Sequence, residues 1–149
     1  MSTKTSAASS TKQVAPAPTI TPKTTFIKFP LLTPIINQAL SIVYTQLSDF
    51  SESSNYYQIL STAFGNNYNR KIAEKLKLYW QQVNFTQIPQ IEILDGGILG
   101  SAYGAYARET NKIYLSKNFV KNNTAEVIGQ VILEEVGHFI DSQLTAIFM

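Results

Sequence analysis

The sequence predicts an α+β domain: helices first, then a small antiparallel sheet, then a long C-terminal helix packed on that sheet. Three observations carry the prediction. Apolar residues recur at helical spacing between residues 33 and 83. After Pro89 the texture turns to short runs of strand character separated by glycines. From Thr124 the helical period returns.

The elements follow in order. Residues 1–25 are rich in Ser, Thr, Ala, Pro and Lys, with no acid and no aromatic residue. Such a stretch cannot bury enough apolar surface to offset its ordering entropy, so a disordered tail is expected there and a single domain over 26–149. Thr33 suits an N-cap with Pro34 at the first helical position, and Ile36, Leu40, Val43, Leu47 and Phe50 then share one face. A second helix is expected around SNYYQILSTAFG, closed by Gly65. A third covers NRKIAEKLKLYWQQV, with Ile72, Leu76 and Tyr79 or Trp80 inward. QIEIL reads as a strand. The glycines at 96, 97, 100 and 104 lead through a turn into a hairpin whose tip lies near Glu109-Thr110-Asn111, and KIYLS is its returning strand. Asn123 or Thr124 caps the last helix, with Glu126 in its first turn.

Composition excludes several classes of function. There is no cysteine, which rules out disulfides, thiolate-bound metals and thiol catalysis. Net charge is only +2 and the basic residues are scattered, so no nucleic-acid partner is expected. The densest basic group, Arg70, Lys71, Lys75 and Lys77, reads as a solvated helix face. No apolar run approaches the ~20 residues that span a bilayer. The glycine spacing matches neither a phosphate-binding loop nor the dinucleotide fingerprint.

Chemistry concentrates in VILEEVGHFIDSQL, residues 131–144, which holds the only histidine. A helix turns ~100° per residue, so His138 and Asp141 fall within about 40° of Glu134. Glu135 lies about 100° round, at the flank of that stripe. Ile128, Ile132, Val136, Phe139, Ile140 and Leu144 take the opposite side. Two readings fit. The polar stripe faces water, with Glu134 and His138 as an ordinary intrahelical pair. Or it faces a cleft, where side chains at i and i+4 can hold one metal ion. Gly137 favours the second, because a glycine inside a helix costs ~1 kcal/mol relative to alanine and needs a reason. The simplest reason is close approach of another backbone.

LEEVGHFID resembles the active-site helix of the zincin metallopeptidases, whose motif is H-E-x-x-H and often H-E-x-G-H-x-x-D. On that pattern His138 matches the second metal-ligating histidine and Glu135 the general base that takes a proton from metal-bound water. Gly137 matches the frequent glycine, and Asp141 a residue that orients the histidine. GAYARETNKIYLS is similar to the hairpin and edge strand before this helix in several zincins, among them domains of the anthrax lethal factor type. The resemblance therefore implies an edge strand near 112–116 on which an extended peptide or protein would pair. Residues 88–145 are more similar still to N-terminal regions of large, mostly cyanobacterial proteins that carry calcium-binding repeats of the RTX type. That resemblance implies a secreted bacterial protein, exported without an N-terminal signal.

The pattern departs from the family at Glu134, which stands where the first histidine belongs. A carboxylate can bind zinc, but the more anionic site turns preference toward manganese, iron or calcium. It also opposes ionisation of a bound water. No third ligand is evident, and the apolar ending LTAIFM suggests that the domain continues beyond Met149. The expected cofactor is a divalent metal, zinc or a harder ion such as manganese or calcium, or none. The leading expectation is a zincin-like module that binds or supports without hydrolysing. The alternative is a metal-dependent peptidase, with Glu135 as base and Glu134 and His138 as ligands. A third reading is a plain helical bundle with a short hairpin.

Overall fold

The computed structural model describes residues 2–3, 24–25 and 29–145. It is an α+β fold, as expected. Most of the segment expected to be a disordered tail lies outside the described residues, as do residues 146–149. The described parts of that segment are two short strands, β1 (Ser2–Thr3) and β2 (Thr24–Thr25).

A 3-10 turn, Pro30–Leu32, leads straight into α1 (Thr33–Ser51). The turn makes Thr33 an interior residue. Leu32 occupies the cap position without a side-chain bond, so the expected Thr33 cap is not formed. Ile36, Leu40, Val43 and Leu47 are buried on one face, as their spacing predicts. α2 (Tyr56–Phe64) ends at Gly65, whose φ of +81° is the left-handed region that glycine enters at no steric cost. α3 (Arg70–Gln81) starts where Asn69 Oδ1 accepts a hydrogen bond from the Ile72 amide at 3.1 Å. Ala73, Leu76 and Trp80 face inward, while Tyr79 stays partly exposed. Arg70 lies over the rings of Tyr57 and Tyr68, and Lys77 over Tyr56 and Tyr57, so part of the basic group is held by aromatic faces.

Three strands form the body of the sheet: β3 (Gln90–Leu94), β4 (Gly104–Ala107) and β5 (Lys112–Ser116). The order across the sheet is β1-β4-β5-β3-β2. The hairpin β4–β5 is antiparallel, but β5 runs parallel to β3, so the sheet is mixed rather than antiparallel. The cause is the path after β3. Residues 95–103 carry the chain past one strand position, β4 runs back, and β5 returns into the gap. Period-2 alternation puts Ile91 and Ile93 beside Ile113 and Leu115 on the buried face.

The placement of β5 corrects one expectation. Residues 112–116 are not an edge strand, because both backbone edges are taken up by β3 and β4. They offer no ladder groups to an added peptide. The outer strand of the three on this side is β4, with Ser2–Thr3 paired along it.

A short helix, α4 (Lys117–Lys121), follows β5 directly and is capped by Ser116 Oγ, which accepts from the Phe119 amide at 3.3 Å. Then α5 (Ala125–Thr145) crosses the molecule. Its cap is Thr124 Oγ1, accepting from the Val127 amide at 3.2 Å, as the sequence predicts. α5 packs on α1 along its length, and against α3, β4 and β5. Its far end is tied down by the Asn69 amide, which donates to the Leu144 carbonyl at 2.8 Å. No helix among the described residues is long and apolar enough to cross a membrane.

Candidate functional site

Three sectors of α5 have different neighbours, and their order decides what the helix can do. Ile128, Ile132, Val136 and Leu144 are sealed in the core. A second stripe meets β4. Gly104 has no room for a side chain there, since a Cβ would lie 3.0 Å from Val131 Cγ1 and 3.1 Å from the Tyr114 carbonyl oxygen. Farther along, the Tyr106 ring stands edge-on to Phe139 at 6.0 Å, and its hydroxyl lies 3.5 Å from Ser142 Oγ. A third stripe meets α2, where Leu133 and Gly137 lie beside Ala63 and Phe64.

Between the second and third stripes an open hollow of about 630 Å³ remains. Glu134, His138 and Asp141 line it. The structure thus brings the three stripe residues to one concave surface, bracketed by α2. Among the described residues Glu134 Oε1 is buried and accepts no hydrogen bond. No ion pair joins Glu134 to His138 among the described residues, so the ordinary intrahelical pair is not formed. A buried carboxylate oxygen without a donor is expensive, and an ion or a cationic group would relieve it.

Glu135 has a different setting. It is 0% exposed. Helical spacing puts it on the stripe of Val131, Phe139 and Ser142, the residues that meet β4. The flank position read from the sequence is therefore an enclosed one. The two adjacent glutamates are separated in role by a single 100° step: one faces the hollow, the other is sealed.

Gly137 also differs from expectation. A Cβ there would meet nothing within 4 Å, so no backbone crowds it. The close approach occurs two turns earlier, at Gly129. A Cβ there would sit 3.4 Å from the Ala39 carbonyl oxygen, which lets α1 and α5 pack tightly. Gly137 instead forms part of the floor of the hollow.

The donor set can be tested against a metal on this geometry. A closed structural zinc site takes four protein ligands. Among the described residues no three His, Asp or Glu side chains cluster as a metal-holding group. Of the described residues lining the hollow, only Glu134, His138 and Asp141 carry side chains of a metal-ligating type. The hollow does not fit a closed site. The walls from α2 carried no sequence signal: Ala63 and Phe64 read only as helix residues. The mixed sheet lying alongside α5 also removes the plain helical bundle from consideration.

No family model, no curated protein and no solved structure matches this chain.

Proposed function

We propose that this chain is a zincin-like domain that works as a binding module, not as a hydrolase, within a secreted bacterial protein. Glu134 and His138 hold a divalent ion loosely at the open face of α5, and Asp141 steadies His138 from one turn on. The observation that carries the reading is the contrast between neighbours: Glu134 and His138 line an open hollow while Glu135 is 0% exposed. A general base must come within hydrogen-bond reach of the proton it takes, directly or through one water. A sealed carboxylate does not meet that condition. Glu134 and His138 are half-buried at the lining of open space, and the group that would activate water is sealed from it.

A carboxylate in place of a histidine makes the site harder and more anionic, which favours manganese or calcium over zinc. When bound, the ion supplies a fixed positive charge that can take a carbonyl or carboxylate oxygen of a partner. The alternative, a metal-dependent peptidase with Glu135 as base, draws support from the residue order of LEEVGH.

Calorimetric titration of the dialysed chain with manganese, calcium and zinc tests the reading. Saturable uptake of one ion per chain is expected, lost in His138→Ala and weakened at least tenfold in Glu134→Ala. Absence of uptake for all three ions overturns the ion site. Cleavage of an unfolded protein substrate by the ion-loaded chain, abolished by Glu135→Gln, overturns the non-hydrolytic reading and establishes the peptidase.

A further inference from the structure

The hollow does not end at Glu134 and His138. It continues across Gly137 into an apolar groove between α2 and α5, of about 290 Å³. Phe50, Ile59, Ala63, Phe64, Leu133 and Ile140 wall it. Ala63, Phe64, Leu133 and Gly137 belong to both spaces, so the apolar and acidic parts form one continuous surface. Ile59 is 45% exposed on its rim.

Gly137 is the reason to read this surface as built for an occupant. A glycine in the middle of a 21-residue helix sacrifices ~1 kcal/mol relative to alanine. Its φ is not positive, and no neighbour lies within 4 Å of a Cβ placed there. Neither backbone conformation nor packing calls for glycine. What its missing side chain does is keep the passage open between the apolar groove and the acidic hollow. The charge at the polar end points to the occupant's chemistry. Two carboxylates, Glu134 and Asp141, face the hollow beside a single histidine, and no Lys or Arg among the described residues lines either space. The buried Oε1 of Glu134 accepts no hydrogen bond among the described residues.

We propose that the groove binds a peptide segment in which a bulky apolar side chain stands next to a basic one. The apolar side chain fills the space between Phe64 and Leu133 over Gly137. The ammonium or guanidinium group reaches the carboxylates of Glu134 and Asp141 that line the hollow and makes charge-assisted hydrogen bonds there. This inference rests on reading the α5 face as a binding surface, and it adds a consequence. The basic group and a divalent ion use the same carboxylates, so the ion and the peptide compete.

The test is a nuclear magnetic resonance titration of the isotopically labelled full chain with a capped octapeptide carrying a central Phe-Lys pair. Shifts confined to residues 59–64 and 133–141 are expected. Replacing Phe by Ala or Lys by Glu in the peptide weakens binding tenfold or more. Gly137→Leu, which fills the passage, abolishes binding, and Gly137→Ala weakens it while leaving the fold more stable. Calcium raises the apparent Kd. Shifts elsewhere, equal binding of the Lys and Glu peptides, or unchanged binding by Gly137→Leu each overturn the inference. So do concentration-dependent shifts at these residues without peptide, which would mean that a second copy covers the groove. Ion uptake without peptide binding defeats this inference alone and leaves the ion site standing. Peptide binding that ignores calcium defeats the shared site.

Discussion

Alanine at three glycines separates three packing environments, and the structure sets a sign for each. Gly137→Ala adds a methyl group into open space. The full helix-propensity gain of ~1 kcal/mol should appear, which for a domain of this size raises Tm by about 4 °C. Gly129→Ala gains the same propensity but puts its Cβ 3.4 Å from the Ala39 carbonyl oxygen, at the tight edge of ordinary contact, which offsets that gain. A net change near zero is expected. Gly104→Ala has no helix propensity to gain and meets Val131, Leu115 and the Tyr114 carbonyl at 3.0–3.1 Å. One of these is backbone and cannot swing aside, so a loss of about 1–3 kcal/mol follows, as for other overpacked sites. Thermal melts followed by circular dichroism, with urea unfolding as a second measure, read all three. The order Gly137→Ala above Gly129→Ala above Gly104→Ala is the prediction. If Gly137→Ala is destabilised, Gly137 is crowded after all, and the open passage beside His138 is wrong.

Other consequences are narrower. Burial pushes the Tyr44 hydroxyl up to about 12 and raises Tyr56 as well, there with help from Tyr57 and Tyr68. The unfolded chain loses these protons near pH ~10. Their contribution to stability is therefore whole below that pH and is lost as pH climbs toward and past 12. Tyr44→Phe should show a shallower fall in Tm between pH 9 and 11.5 than the wild type, and an equal slope would remove Tyr44 from the account. Thr124→Ala removes the acceptor for the Val127 amide and should cost ~1 kcal/mol in urea unfolding. Tyr106→Phe deletes the bond to Asn111 Oδ1 at 3.0 Å and should also cost ~1 kcal/mol, with the chain remaining folded.

Much of this architecture was legible because the relevant signals are local. Gly65 and Thr124 end or begin helices through their own side chains or their lack of one, so the sequence shows them. The isoleucines of β3 and β5 announce strands by alternation. What stayed hidden depends on neighbours distant in sequence. Nothing in KIYLS says that β3 will pair parallel beside it, so an interior strand read as an edge. Nothing local distinguishes Gly129, which α1 presses against, from Gly137, which nothing touches. The site was half legible for the same reason. Helical spacing groups Glu134, His138 and Asp141 on one stripe without any fold. Whether the next sector, with Glu135, is wet or sealed depends on where β4 lies. Ala63 and Phe64 become walls of the hollow only through the turn between α1 and α2.

In the proposed function, Glu134 and His138 line open space while Glu135 is sealed, so restoring a histidine at 134 does not restore hydrolysis. Glu134→His tests it most directly, because it completes the H-E-x-G-H pattern while leaving Glu135 where it is. Zinc affinity and cleavage of a fluorogenic peptide library would be measured on the same preparation. At least tenfold tighter zinc binding is expected, with no cleavage above the metal-free chain. Turnover that appears with zinc, and disappears when Glu135→Gln is added, would contradict the proposed function.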